Sequence, residues 1–90
     1  MMEINTDYNA PDICLDLKDR LVGAENCKLV MQLDYRDNHT IIDLKHVSRI
    51  NFKNYCIEIL QKCGSASYYA YEYIMEYHIV NNLSDIGGET

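Results

Sequence analysis

Ninety residues suit a single domain, and an apolar fraction of 48% is enough to build a core, which argues against wholesale disorder. Fourteen acidic residues against eight basic ones give a net charge of −6. That balance disfavours direct binding to nucleic acid or to an anionic membrane, and favours a basic protein surface as partner. The ends, residues 1–27 and 54–90, are acidic, and the middle is mildly basic. The N-terminus MMEINTD is acidic and has no apolar h-region, and no apolar run reaches the length of a membrane span. The expectation is a cytoplasmic protein (host cytosol if viral) with reduced cysteines.

Residues 1–9 are polar and are expected to be loosely held, as are residues 84–90. Pro11 suits a first helical turn, and Ile13, Leu17 and Leu21 follow at helical spacing beside Cys14. With Gly23 as a stop, this predicts a helix at about 11–22. Asp12, Asp16 and Asp19 line its outer face as a secondary acidic surface, and Asp16 can pair with Arg20.

Residues 28–46 alternate. A turn at Asp37-Asn38 would pair Tyr35 with Thr40, Leu33 with Ile42 and Met31 with Leu44, placing the large apolar residues on one face. Ser48 can cap a second helix at about 49–63, lined by Phe52, Cys56, Ile59, Leu60 and Cys63 and ended by Gly64.

Residues 66–81 hold five of the eight tyrosines, and the sequence has one Phe and no Trp. The segment reads as a third helix, because so long an uninterrupted run exceeds an ordinary strand. The alternative is a third strand at 69–79, since Tyr69, Tyr71, Tyr73 and Tyr77 share one parity. The predicted architecture is therefore α+β, in the order α-β-β-α-α, with a two-stranded antiparallel hairpin packed on helices.

No catalytic motif stands out. Four cysteines and three histidines lack the short spacings of a zinc site, so no metal and no cofactor are expected. No glycine-rich phosphate loop is present, and no cysteine has an activating neighbourhood. The expectation is a non-enzyme.

On the helical reading Ala70, Tyr73, Ile74, Tyr77 and Val80 fill the core. Tyr68, Tyr71, Glu72, Met75, Glu76 and His78 then form an outward aromatic and acidic flank for a partner. This predicts a small acidic inhibitor or adaptor that blocks a basic surface of another protein. Viral or phage host-interaction proteins, immunity proteins and antitoxins fit that physical description. The alternative is a homo-oligomeric assembly protein, with a second copy on the tyrosine face. A nucleic-acid mimic and a small metal-binding protein are the lesser readings.

Overall fold

A computed structural model of the chain describes residues 2–81. In chain order the elements are β1 (Glu3–Thr6), α1 (Ile13–Leu21), β2 (Cys27–Leu33), β3 (Thr40–Asp43), β4 (Val47–Phe52), β5 (Cys56–Gln61), β6 (Ala66–Ala70) and β7 (Ile74–Asn81). Two single turns of 3₁₀-helix complete the set, Leu44–His46 between β3 and β4 and Tyr71–Tyr73 between β6 and β7. The strands form a four-stranded sheet in the order β1-β4-β5-β6 and a three-stranded sheet in the order β3-β2-β7. At each 3₁₀ turn the chain leaves one sheet and enters the other. We call these the first and second corners.

The expected α-β-β-α-α order is therefore wrong, and the molecule is mainly β. Only the first of the three helices forms. Cys14, Leu17 and Leu21 are buried, Ile13 packs against the core, and Gly23 follows at φ 78°. Positive φ is inexpensive for a residue without a Cβ. No helix among the described residues is long and apolar enough to cross a membrane.

The expected helix at 49–63 is the β4–β5 hairpin. Ile50, Phe52, Ile57 and Ile59 point into the core, and Asn51 and Glu58 point away. The residues that suggested one helical face are in fact divided: Phe52 and Ile59 point inward, Cys56 and Leu60 lie on the opposite face of β5, and Cys63 lies in the turn after it. Val47 pairs with Gln61 and Arg49 with Leu60, so Ser48 is an extra, bulged residue. The bulge sets the inward side chains of Val47 and Ile50 three residues apart.

The expected helix at 66–81 is two strands in different sheets, so the single-strand alternative at 69–79 fails as well. β6 pairs with β5, the second corner turns the chain, and β7 pairs with β2. A second bulge lies here, because Gln32 pairs with Glu76 and Leu33 with Ile74, leaving Met75 over. Ile74 and Tyr77 thus face inward three residues apart. Tyr73, expected in the core, is 41% exposed and meets Tyr35 edge to face with ring centroids 5.5 Å apart. Tyr77 does pack against the core, and so does Tyr71, which was expected to face outward.

The β2–β3 hairpin forms in a different register. Met31 pairs with Thr40 and Leu29 with Ile42, a slip of four residues from expectation. An even slip keeps the same face inward, so Leu29, Met31, Leu33 and Ile42 are still buried together. The tight turn at Asp37-Asn38 gives way to a loop over 34–39, and positive φ among the described residues occurs only at glycines. The loop is held elsewhere: the Asp34 N–H donates to Tyr73 O at 2.7 Å, and Gln32 Nε2 to Arg36 O at 2.8 Å.

The polar N-terminal segment, expected to be loose, contributes β1. It runs parallel to β4, with Ile4 opposite Ile50 and Thr6 opposite Phe52. The expected loose tail at 84–90 lies outside the described residues. One core joins both sheets and α1, centred on Phe52, Leu17, Leu29, Met31, Ile50 and Ile57.

Candidate functional site

The six residues expected to bind a partner fall into two groups. Tyr68, Tyr71 and Glu72 lie on β6 and the second corner, and Met75, Glu76 and His78 lie on β7 in the other sheet. In the second group, Met75 is the bulged residue and is 67% exposed. Glu76 Oε1 stands 3.0 Å from His78 Nε2. Glu76 and His78 share the outward face of β7, opposite Gln32 and Val30 of β2.

Two of the first group, Tyr71 and Glu72, line a groove of about 440 Å³ together with Pro11, Asn54, Tyr55 and Ala70. That is within the ordinary size range of ligand-receiving clefts. Three stretches distant in sequence meet here: the approach to α1, the β4–β5 turn and the second corner. The Tyr71 N–H donates to Tyr55 O at 3.1 Å, and the Tyr71 hydroxyl donates to Lys53 O at 2.6 Å. The second corner is thus tied to the β4–β5 turn through both the backbone and the side chain of one residue. Burial pushes the Tyr71 hydroxyl well above the usual tyrosine range, with the Cys14 thiol next in effect and Asp7 contributing. Tyr71 therefore remains a neutral donor at any physiological pH.

Tyr55 also lines the groove and is 84% exposed. Glu72 is exposed at the rim, and its carboxylate has no hydrogen-bond or ion-pair partner among the described residues. No Lys or Arg lines the groove. The nearby Lys53 directs its Nζ to Glu58 Oε1 at 3.6 Å.

Tyr68 extends this surface. It lies on the same face of β6 as Ala70, two residues away, or roughly 7 Å along the strand. Its hydroxyl donates to Glu58 Oε2 at 2.9 Å. Asn51 Nδ2 donates to Glu58 Oε1 at 2.8 Å, and Asn5 Nδ2 donates to Asn51 Oδ1 at 3.0 Å. These four residues are paired neighbours, so one hydrogen-bonded row crosses all four strands. The donors hold the Glu58 carboxyl below its usual range, Asn51 first, then Tyr68, with Lys53 adding attraction. The row fixes the Tyr68 ring, which stays 59% exposed.

The secondary acidic face on α1 is interrupted at its centre. Asp16 Oδ2 accepts from the Tyr77 hydroxyl at 2.6 Å and from Arg20 Nε at 2.9 Å. The Arg20 guanidinium also stands 5.5 Å from the Tyr77 ring centre. Asp16 therefore clamps α1 to β7. Asp12 precedes the helix and makes no side-chain cap, and Asp19 is exposed.

Among the described residues no three His, Cys, Asp or Glu side chains converge as a metal site would require. The four cysteines are free: Cys14 buried, Cys27 and Cys56 half-buried, Cys63 exposed. Sequence reasoning missed Tyr55 and Pro11. Reading Lys53-Asn54-Tyr55 as a turn between two short β-branched runs would have placed Tyr55 outside. Compared with protein-family models, with curated proteins and with solved structures, the chain matches none.

Proposed function

We propose that this chain is a small acidic, non-enzymatic protein-binding protein, acting as an inhibitor or adaptor. Its contact face centres on the second corner and carries Tyr55, Tyr71 and Glu72, with Tyr68 beside them. The observation that carries this reading is the groove lined by Tyr55 and Tyr71 together with Glu72, whose carboxylate is unpaired among the described residues.

Tyrosine suits such a face because it offers a large rigid contact area for few rotatable bonds. Tyr71 and Tyr68 are held in place by hydrogen bonds before any partner arrives. Less side-chain freedom is then lost on association than for unrestrained side chains. The net charge of −6 favours a target with a basic surface and speeds the encounter.

The test is affinity capture from source-cell lysate with the full chain, Tyr55→Ala and Glu72→Lys, read by mass spectrometry. The expected result is a protein recovered by the parent chain and lost with both variants. A partner held equally by all three proteins would refute this placement of the face. Light scattering at high concentration separates the alternative, since a concentration-dependent dimer abolished by Tyr55→Ala would assign the face to a second copy.

A further inference from the structure

We infer that the groove at the second corner receives a single cationic side chain of the partner, an arginine or lysine, between Tyr55 and Glu72. This inference rests on the protein-binding reading and adds the chemistry of the group that enters. The lining supplies what a cation attached to an apolar stem requires. Tyr55 and Tyr71 bring aromatic rings to the lining, Pro11 and Ala70 apolar surface for methylenes, and the exposed Glu72 a carboxylate.

Charge decides between an apolar and a cationic occupant. An aromatic pocket meant for leucine or phenylalanine gains nothing from a carboxylate at its rim, which would lose hydration with no return. Here the Glu72 carboxylate is unpaired among the described residues, and Asp7 lies close enough to Tyr71 to act on its hydroxyl. The Lys53 ammonium, the cation belonging to the adjoining turn, is turned aside onto Glu58, and that carboxylate also accepts from Asn51 and Tyr68. Glu72 therefore has no internal competitor among the described residues. A guanidinium over the Tyr55 ring, within hydrogen-bonding reach of Glu72, combines cation–π attraction with an ion pair.

The test titrates the ¹⁵N-labelled full chain with the peptide acetyl-Gly-Gly-Arg-Gly-Gly-amide, following backbone amide shifts. Parallel titrations replace Arg by Lys, by neutral citrulline or by Leu. The expected result is saturable movement of the Asn54, Tyr55, Tyr71 and Glu72 amides, with a dissociation constant on the order of 1–10 mM for Arg. Glu72→Gln and Tyr55→Ala should each weaken that binding about two- to five-fold. Both side chains are exposed, so both variants should keep the parent's dispersed spectrum.

Equal response to the citrulline or Leu peptide, or movement mapping away from the groove, overturns the inference. A silent Arg titration, with partner capture still lost in Tyr55→Ala, overturns the cation and leaves the protein-binding reading in place. Arg-dependent shifts in the groove, with partner capture indifferent to Tyr55→Ala, support the cation site and refute the protein-binding reading.

Discussion

The two corners do the same topological work with opposite chemistry. At the first, Leu44 is buried, the Asp43 carboxylate accepts from Lys45 N–H at 3.1 Å, and His46 O accepts from Lys62 N–H at 2.8 Å. At the second, no residue is fully buried, no side chain caps the turn, and all three side chains are large. The first corner is anchored from within by an aliphatic side chain. The second is anchored sideways, by Tyr71 to the β4–β5 turn and by Tyr73 to Asp34 and Tyr35. A turn pinned at its flanks leaves its outer surface free for contact, whereas one anchored by burial does not.

The largest expected effect breaks the first corner. Leu44→Ala should destabilise the fold by about 2–5 kcal/mol, since a fully buried leucine leaves a cavity, read by urea unfolding. If it costs no more than the changes below, the first corner is not anchored by burial. Tyr71→Phe keeps the ring and removes the bond to Lys53 O, so it should cost about 0.5–1.5 kcal/mol. The Asn54 and Tyr55 amides should shift at the same time, because the β4–β5 turn loses its tie. A double-mutant cycle on Tyr35→Ala and Tyr73→Ala should give a coupling of about 0.5–1.5 kcal/mol, and zero coupling would mean the edge-to-face pair does not hold the second corner. Tyr55→Ala and Glu72→Lys should each change stability by less than about 0.5 kcal/mol, since neither side chain is needed by the fold.

The smallest effect concerns what holds β7 beyond the second corner. The Tyr77 hydroxyl first, and Arg20 second, hold the Asp16 carboxyl below its usual range. A depressed folded value means that the contribution is complete above the unfolded value, near pH ~4, and is lost as pH falls through the folded one. The parent chain's advantage over Asp16→Asn should therefore be present at neutral pH and shrink below about pH 4. An advantage that grew on acidification would contradict the clamp.

Particular residues explain what could be read in advance. Ile13, Leu17 and Leu21 kept an undisturbed helical repeat, and α1 formed there. β2 kept strict alternation and formed as expected, while its partner slipped because Asp34 bonds to Tyr73 and Tyr35 packs on it, taking both residues out of the hairpin. β7 contains a bulge at Met75, which puts Ile74 and Tyr77 inward three residues apart and disguises a strand as a helix, whereas the helical face expected across β4 and β5 mixed the inward Phe52 and Ile59 with the outward Cys56 and Leu60. Of the proposed face, the sequence brought Tyr71 and Glu72 together, and they line one groove, with Tyr68 on the neighbouring strand beside it. Tyr55 was hidden by the helix assigned across it. Met75, Glu76 and His78 were grouped with the others by a helical repeat that the second corner breaks.

β7 pairs along its length with β2, and everything from β3 to β6 lies between them in the chain. Such pairing imposes an order on synthesis. Leu29, Met31 and Leu33 leave the ribosome long before the strand that flanks them exists. The three-stranded sheet can close only after the tyrosine segment has emerged, so its assembly waits on the last part of the described chain. Pairing this remote in sequence belongs to folding on the millisecond-to-second scale rather than the microsecond scale. In that interval the apolar face of β2 is the stretch most in need of shielding by a chaperone.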